Sequence, residues 1–581
     1  MQLSKYEPTG FALTIFKDRY AIHDNETFDQ ACLRVAECVA AVECGTKRDE
    51  FKSRFYDIMS TNRFSPGGRI WSGAGRAHGH LLNCFVLDIE DSREGWGEAL
   101  RSVTIISGTG GGVGLSFAKI RPRGAKIKST NGRSTGSVSL MRCINAVCNE
   151  LRSGGNRRSA LLFALPYWHP DIPEFLKAKL DENELTNANI SVTIDDEFLK
   201  LVKNNRDVVF AWDGIQYGTM PAKKLWDKIV HNAWNCGDPG IINLGLANEM
   251  SNIAYDTKLI ATNPCGEIVM NHGGSCDLGA IVLPTHVING RVNWKMLADT
   301  VMVSVRFLDN VIDRSDYPLS FMKEVAQQYR RIGLGVMGLH DFMLKLGVKY
   351  SSSEALRLVD KVMDFIKKKA YETSTFLAVE KGSFPKLDRR QFVGSRFIKN
   401  LTIGMRNKIL EYGIRNCAIL TIAPTGTISI VAGVSSGIEP IFSPVYKIKF
   451  NKHESVNGNE VETIVHPLLQ EFLMAGKSIE VFEGAHDISP EQHCLIQAMC
   501  QKHVCNSISK TINLPKDYPI QELSSIVMRN VRHLKGITIY RDGSRGESPL
   551  TPVPICYVKD HINDFIAGAS NNDCPSGQCS L

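Results

Sequence analysis

The pentapeptide Asn263-Pro264-Cys265-Gly266-Glu267 sets an amide, a thiol and a carboxylate two residues apart. On an extended segment alternate residues project to one face. One pocket could then receive a hydrogen-bond donor, a sulfur and a general base together. The same five residues also suit a turn around a buried Cys, and alone they do not decide. Eleven residues on, Gly273-Gly274-Ser275-Cys276-Asp277-Leu278-Gly279 carries a second Cys. Far upstream, Leu81-Leu82-Asn83-Cys84-Phe85-Val86 carries a third, again beside a strand-like run. Two adjacent thiols make a two-electron reductant, whereas one buried Cys is simply a small hydrophobe. Pro424-Thr425-Gly426-Thr427-Ile428-Ser429 follows an apolar strand, with glycine and hydroxyls at an expected helix start. Such a turn suits phosphate as well as an ordinary strand–helix connection.

Other groupings carry less. Cys574 and Cys579 sit in a Pro-, Gly-, Ser- and Asn-rich C-terminal stretch. Two exposed thiols there can exchange with a buried disulfide and then with an external reductase. Zinc is the competing reading, but one C-x4-C is poor ligand spacing. His493, Cys494, Cys500, His503 and Cys505 are dense, yet the chain has no C-x-x-C, and helix surface and core is the reading adopted. No metal site is expected. Cys32, Cys38 and Cys44 read as packing residues. The run Ser107-Gly108-Thr109-Gly110-Gly111-Gly112-Val113-Gly114 lacks the spacing of a dinucleotide fingerprint, and no Lys-Ser/Thr follows it for a P-loop.

The elements that must position these groups read as α/β. Phe28, Cys32, Val35, Ala36 and Val39 recur at helical spacing within 28–60, and 294–313 and 354–382 also read as helices. Ile190–Ile194 and Ala418–Ile422 read as buried strands. Strands separated by helices favour a mostly parallel sheet. The 581 residues are 43% apolar and 22% charged, enough for a sizeable core. A formal charge of +7 is mild for this length and does not argue for nucleic acid. The start of the chain lacks a secretory apolar core, and no apolar run reaches the ~18 residues of a membrane span. The expectation is a soluble, cytoplasmic protein with neither membrane nor nucleic acid as partner.

Taken in order, the Asn-Pro-Cys-Gly-Glu segment, Cys276, and Asn83-Cys84-Phe85-Val86-Leu87 resemble the large subunit of the ribonucleotide reductases. Further matches follow in sequence: Ser153–Ala160, Asn189–Val192, Ala423–Ser429 and Ser509–Pro515. The resemblance spans roughly residues 20–545. It implies a ten-stranded α/β barrel of two five-stranded halves, with a finger loop carrying Cys265 into its centre. A small helical N-terminal region over 1–62 would precede the barrel over 63–545, and a flexible redox tail over 546–581 would follow. By the same resemblance Cys265 is the radical cysteine that abstracts the ribose 3′-hydrogen. Glu267 takes the 3′-hydroxyl proton, and Asn263 hydrogen-bonds the sugar. Cys84 and Cys276 supply two electrons as the 2′-hydroxyl leaves as water. Asn83 and Pro424, Thr425, Gly426, Thr427 and Ile428 would bind the ribonucleotide, the last five its phosphates. Asp91, Ser92, Arg121, Lys126, Arg133 and Arg157 would form a site for a nucleoside triphosphate effector with Mg. Read singly, those charges equally suit solvated loops.

The class is read from the segment Leu534–Arg545, which has the single Tyr540 where relatives fed by a radical-generating subunit have a Tyr pair. It looks like the adenosylcobalamin-dependent class, although the cobalamin motif D-x-H-x-x-G is missing. No glycyl-radical motif is seen. No room is left for an ATP cone, so overall on/off control is not expected. Pro66-Gly67-Gly68-Arg69 stands where many relatives have Ser-Pro-Thr-Leu, which removes a substrate hydroxyl. A homodimer and a thioredoxin- or glutaredoxin-like reductant complete the expectation. The alternatives are a catalytic subunit that needs a radical-generating partner, and a nucleotide-binding relative without catalysis.

Overall fold

The computed structural model describes residues 3–128, 130–151, 160–181, 183–449, 461–544 and 550–560. Three helices open the chain: α1 (Gly10–Arg19), α2 (Phe28–Ala40) and α3 (Thr46–Ser60). The helical stretch read over 28–60 is therefore two helices. Thr27 and Gln30 close a capping box at the start of α2, and Gly45, at φ 58°, turns the chain before α3. Phe28, Cys32, Val35, Ala36 and Val39 are all buried. Cys38 is half-buried and Cys44 exposed, so Cys44 is not a packing residue. Its place just outside the end of α2 puts it on the solvent side of the turn.

β2 (Cys84–Asp88), β3 (Gly112–Ser116), β4 (Leu161–Pro166), β5 (Ala188–Ile194) and the strand Gly240–Asn243 lie side by side, all parallel. Ser275–Val282 and Ile332–Met337 form a second parallel pair, and Thr511–Leu514 and Gly536–Arg541 a third. Antiparallel pairings join β2 to Ser275–Val282 and Gly240–Asn243 to Gly536–Arg541. With β1 (Phe64–Pro66) on Ser275–Val282, ten strands make one sheet. Ala418–Ile422, expected as a strand, forms only the isolated bridges Leu334↔Leu420 and Ile422↔Ile508, although its backbone also hydrogen-bonds to both neighbouring segments. The regular strands therefore do not close into the expected barrel. The physical reason is local: the N–H groups of Ile419 and Leu420 donate to Cys505 Sγ at 3.1 and 3.2 Å rather than to a neighbouring strand.

Helices Trp294–Arg314 and Ser353–Lys381 appear where helical spacing predicted them. Among the described residues no helix is long and apolar enough to cross a membrane. Residues 550–560, expected within the tail, include strand Leu550–Pro552 and helix Ile555–Asp560.

A short hairpin crosses the sheet. Ala261–Thr262 pairs antiparallel with Val269–Met270, and the loop 263–268 lies between them. Its approach to β3 depends on glycine: a Cβ at Gly114 would stand 1.7 Å from the Thr262 carbonyl oxygen, and one at Gly112 3.1 Å from the Pro264 ring. Val113 and Leu115 alternate to the other face and are buried against the outer helices. Asn189 Nδ2 on β5 donates to the Pro264 carbonyl at 3.3 Å. Replacing Gly114 by Ala should therefore destabilise the fold by about 3 kcal/mol, at the upper end of overpacking effects. Gly108→Ala, where an added Cβ meets nothing within 4 Å, should be near neutral. Chemical denaturation of the two variants checks this; equal midpoints would show that the hairpin does not rest on β3.

Candidate active site

Cys84 opens β2 and Cys276 lies directly opposite it in the antiparallel register. Such opposed residues have Cβ atoms about 4.5–5.5 Å apart, close to the roughly 3.5–4.5 Å that a disulfide needs. The two side chains are 4% and 1% exposed, in a small cluster with Val86, Ala164, Ala261, Ile268, Met270 and Leu278. Burial pushes both thiols well above their ordinary pKa, Glu267 adding to the effect at Cys84 and Asp277 at Cys276. Both therefore rest as protonated thiols, able to give up hydrogen and electrons rather than to attack as thiolates.

The hairpin loop brings two polar side chains to this pair. Asn263 Nδ2 donates to Cys84 Sγ at 3.1 Å, and its Oδ1 accepts the Ile268 N–H at 3.1 Å. The Cys84 thiol in turn donates to Glu267 Oε1 at 3.8 Å. Glu267 Oε2 is buried with no hydrogen-bond partner among the described residues. Burial raises the Glu267 carboxyl above its ordinary value, against the lowering effect of its bonds to Asn263 and Cys84. Its main chain is fixed twice: its carbonyl accepts from Thr421 Oγ1 at 2.6 Å and from the Ser507 N–H at 2.9 Å.

The segment is not extended. Gly266 N–H closes a turn onto the Asn263 carbonyl at 3.0 Å, and Gly266 has φ 80°. Asn263 and Glu267 thus converge on Cys84 through a turn, while Cys265 stands exposed at its tip. It remains close enough that a charge on its sulfur raises the Cys84 thiol.

The remaining site residues fall into separate places. Asn83 Oδ1 is buried without a partner among the described residues, 3.1 Å from where a Cβ on Gly67 would stand. Pro424, Thr425, Gly426 and Thr427 are at least partly exposed, and Ile428 is buried at the first turn of helix Thr427–Val431. Thr425 takes the left-handed φ of 47°. Its Oγ1 accepts the Gly437 N–H at 3.0 Å and meets the Ser436 hydroxyl at 3.1 Å. Asp91 and Arg121 form an ion pair at 2.7 Å. Ser92 caps helix Arg93–Gly108 through the Gly95 N–H. Lys126 and Arg133, both exposed, face each other across an antiparallel bridge, and Arg133 donates to the Gly124 carbonyl at 2.9 Å. Arg157, Cys574 and Cys579 lie outside the described residues. His493, Cys494, Cys500, His503 and Cys505 are buried; Lys510 donates to His493 Nδ1 at 2.9 Å, and His503 Nε2 meets Asp360 at 2.7 Å.

Sequence reasoning missed Thr421 and Ser507. A Thr inside an apolar run gives only a weak signal until its neighbour across the fold is known.

The raised Glu267 carboxyl gives a pH test. An acid with a raised folded-state pKa holds its proton more tightly when folded, so it lowers stability as pH rises from the unfolded value, about 4.3, up to the raised one. Relative to the parent, Glu267→Gln should gain stability through that window and level off above it. Urea unfolding of the reduced proteins from about pH 4 to about pH 8 measures this; a parent–variant difference that does not change with pH would rule it out.

Two family descriptions and several curated proteins match most of the chain. The family description "Ribonucleotide reductase, all-alpha domain" matches residues 6–79, and "Ribonucleotide reductase, barrel domain" matches residues 82–540. A vitamin B12-dependent ribonucleoside-diphosphate reductase of Mycobacterium tuberculosis (strain CDC 1551 / Oshkosh) is 34% identical over 97% of this chain and 84% of its own. The protein of the same name from Thermoplasma acidophilum is 36% identical over 87% of this chain and 67% of its own. A ribonucleoside-diphosphate reductase subunit alpha from Chlamydia muridarum is 28% identical over 74% and 47%. With matched regions covering most of its length, and relatives at 34–36% identity, the chain belongs to the ribonucleotide reductase large-subunit family.

Proposed function

We propose that this protein reduces ribonucleotides to 2′-deoxyribonucleotides by thiyl-radical chemistry, with adenosylcobalamin as the source of the radical. The observation that carries the reading is the opposed pair Cys84 and Cys276, with Asn263 and Glu267 bonded to Cys84 beneath the exposed Cys265. Cys265, as a thiyl, takes the 3′-hydrogen. The buried Glu267 carboxylate takes the 3′-hydroxyl proton, and Asn263 orients the sugar. The 2′-hydroxyl leaves as water. Cys84 and Cys276 supply two electrons and two protons and end as a disulfide, and the 3′-hydrogen returns from Cys265. Burial makes Glu267 hold a proton more tightly than a free carboxyl does, which suits a group that first takes a proton and then returns it.

The dependence on vitamin B12 is carried in the names of the Mycobacterium and Thermoplasma relatives. The residues here fit such a cofactor in one respect: Cys265 is exposed at a turn while the reductant thiols are buried, so a bulky group can reach the first without exposing the others. When bound, the cofactor supplies the radical that removes the hydrogen of the Cys265 thiol. This chain's part is to present that thiol and to keep water from the pair below.

The same reading places the substrate phosphates at Pro424, Thr425, Gly426, Thr427 and Ile428, with Asn83 beside the sugar. A nucleoside triphosphate effector with Mg would lie at Asp91, Ser92, Arg121, Lys126, Arg133 and Arg157. It takes 1–62 as the helical region, 63–545 as the catalytic domain, and 546–581 as a tail whose Cys574 and Cys579 pass electrons from a thioredoxin- or glutaredoxin-like protein to the pair. A homodimer and a cytoplasmic location complete the reading.

Anaerobic turnover of a ribonucleotide mixture with a dithiol, with and without adenosylcobalamin, tests it. Product should form only with the cofactor, and Cys265→Ser should abolish it while nucleotide still binds. After a single turnover without dithiol, peptide mapping should find Cys84 joined to Cys276. Turnover without the cofactor, or none with it, would reject the cobalamin assignment.

A further inference from the structure

The N-terminal helical region reaches helix Thr427–Val431 with three side chains. Tyr6 OH donates to the Val431 carbonyl at 2.7 Å, and Asn62 Nδ2 to the Ala432 carbonyl at 3.0 Å. Both satisfy main-chain acceptors, as scaffolding does. Tyr20 differs: its hydroxyl meets the side-chain hydroxyl of Thr427. We infer that Tyr20 is a positioning residue of the substrate site: from the N-terminal region, its hydroxyl orients the Thr427 hydroxyl toward a substrate phosphate. The inference rests on the assignment of residues 424–428 to the phosphates of the ribonucleotide.

Three observations support it. Tyr20 is held in place, since it is only 5% exposed and its carbonyl accepts from Arg34 Nη2 at 3.3 Å. Arg34 also donates to the carbonyls of Trp71 and Ala74 at 2.9 and 2.6 Å, tying Tyr20 to the helix Gly68–Gly73. Second, the space for the ring exists because residue 68 is glycine. A Cβ there would stand 3.0 Å from Tyr20 Cε1 and 3.2 Å from its OH. The Gly67-Gly68 pair removed a hydroxyl from the expected substrate site, and the structure sets the Tyr20 hydroxyl where a side chain at 68 would project. Third, the chemistry is directional. A hydroxyl that accepts from one partner has its own proton left to give. With Tyr20 donating, the partly exposed Thr427 can donate to an anionic oxygen. Two hydroxyls in series also strengthen each other.

Tyr20→Phe keeps the ring and removes only the hydroxyl. The binding of a ribonucleoside diphosphate, and its KM in the cofactor-loaded enzyme, should weaken about three- to tenfold, the loss typical of one hydrogen bond. The value of kcat should stay within about twofold. Binding of the unphosphorylated ribonucleoside should not change, which separates positioning of phosphate from a general loosening. Tyr6→Phe, which removes a hydroxyl bonded only to a main-chain carbonyl, should leave nucleotide affinity unchanged. Thr427→Val should cause the same loss, and the double variant should lose no more than Thr427→Val alone. If Thr427→Val weakens nucleotide and Tyr20→Phe does not, the role of Tyr20 is overturned while the phosphate loop stands. If neither weakens it, the phosphate assignment falls and Tyr20 with it. An equal loss for nucleoside and nucleotide in Tyr20→Phe would also overturn the proposal.

Discussion

Taking a polar loop out of water onto the face of a sheet is the demand that the rest of this structure meets. Every buried backbone group on such a loop must find a partner. Residues 261–270 find theirs in a two-residue ladder, a turn onto the Asn263 carbonyl, and donors from three distant segments: Asn189, Thr421 and the Ser507 main chain. The loop can lie so close only because β3 presents glycine at 112 and 114. Remove that approach and Asn263 and Glu267 no longer meet Cys84.

Burial then sets the chemistry. In a low-dielectric pocket the charged form of an acid is disfavoured. Cys84, Cys276 and Glu267 all respond in the same direction, toward holding their protons. For the thiol pair this is protection, since it suppresses stray thiolate reactions while leaving hydrogen and electrons available. Cys265 is exposed, so one turn separates an open thiol from two that are buried.

The N-terminal region is fastened to this centre by buried charge. Arg306 on helix Trp294–Arg314 pairs with Glu43 at 2.6 Å, with Glu380 also at 2.6 Å, and Lys381 meets Glu43 at 2.9 Å. Breaking one partner of such a buried pair costs about 3–5 kcal/mol, because the other is left without compensation. On α2, Arg34 donates to the Tyr20 and Ala74 carbonyls, and the Tyr20 hydroxyl meets Thr427.

Local pattern determined much of this. Helical spacing gave Trp294–Arg314 and Ser353–Lys381, because a periodic apolar face is written in consecutive residues. The ordered motifs around Cys84, Cys265 and Cys276 pointed to the three thiols before any geometry was known. The split at Gly45 and the exposure of Cys44 were not legible, since a short turn interrupts the helical period without erasing it. Nor was the irregular pairing of 418–422, because the sulfur that competes for its N–H groups lies more than eighty residues away, at Cys505. The sequence by itself determined which residue types are present, in what order, and which segments bury one face. The tertiary structure alone decided that a turn, rather than an extended strand, gathers Asn263 and Glu267 onto Cys84, and that Tyr20 reaches Thr427. Those contacts join residues up to about four hundred positions apart, and their energies depend on packing and burial that no local window contains.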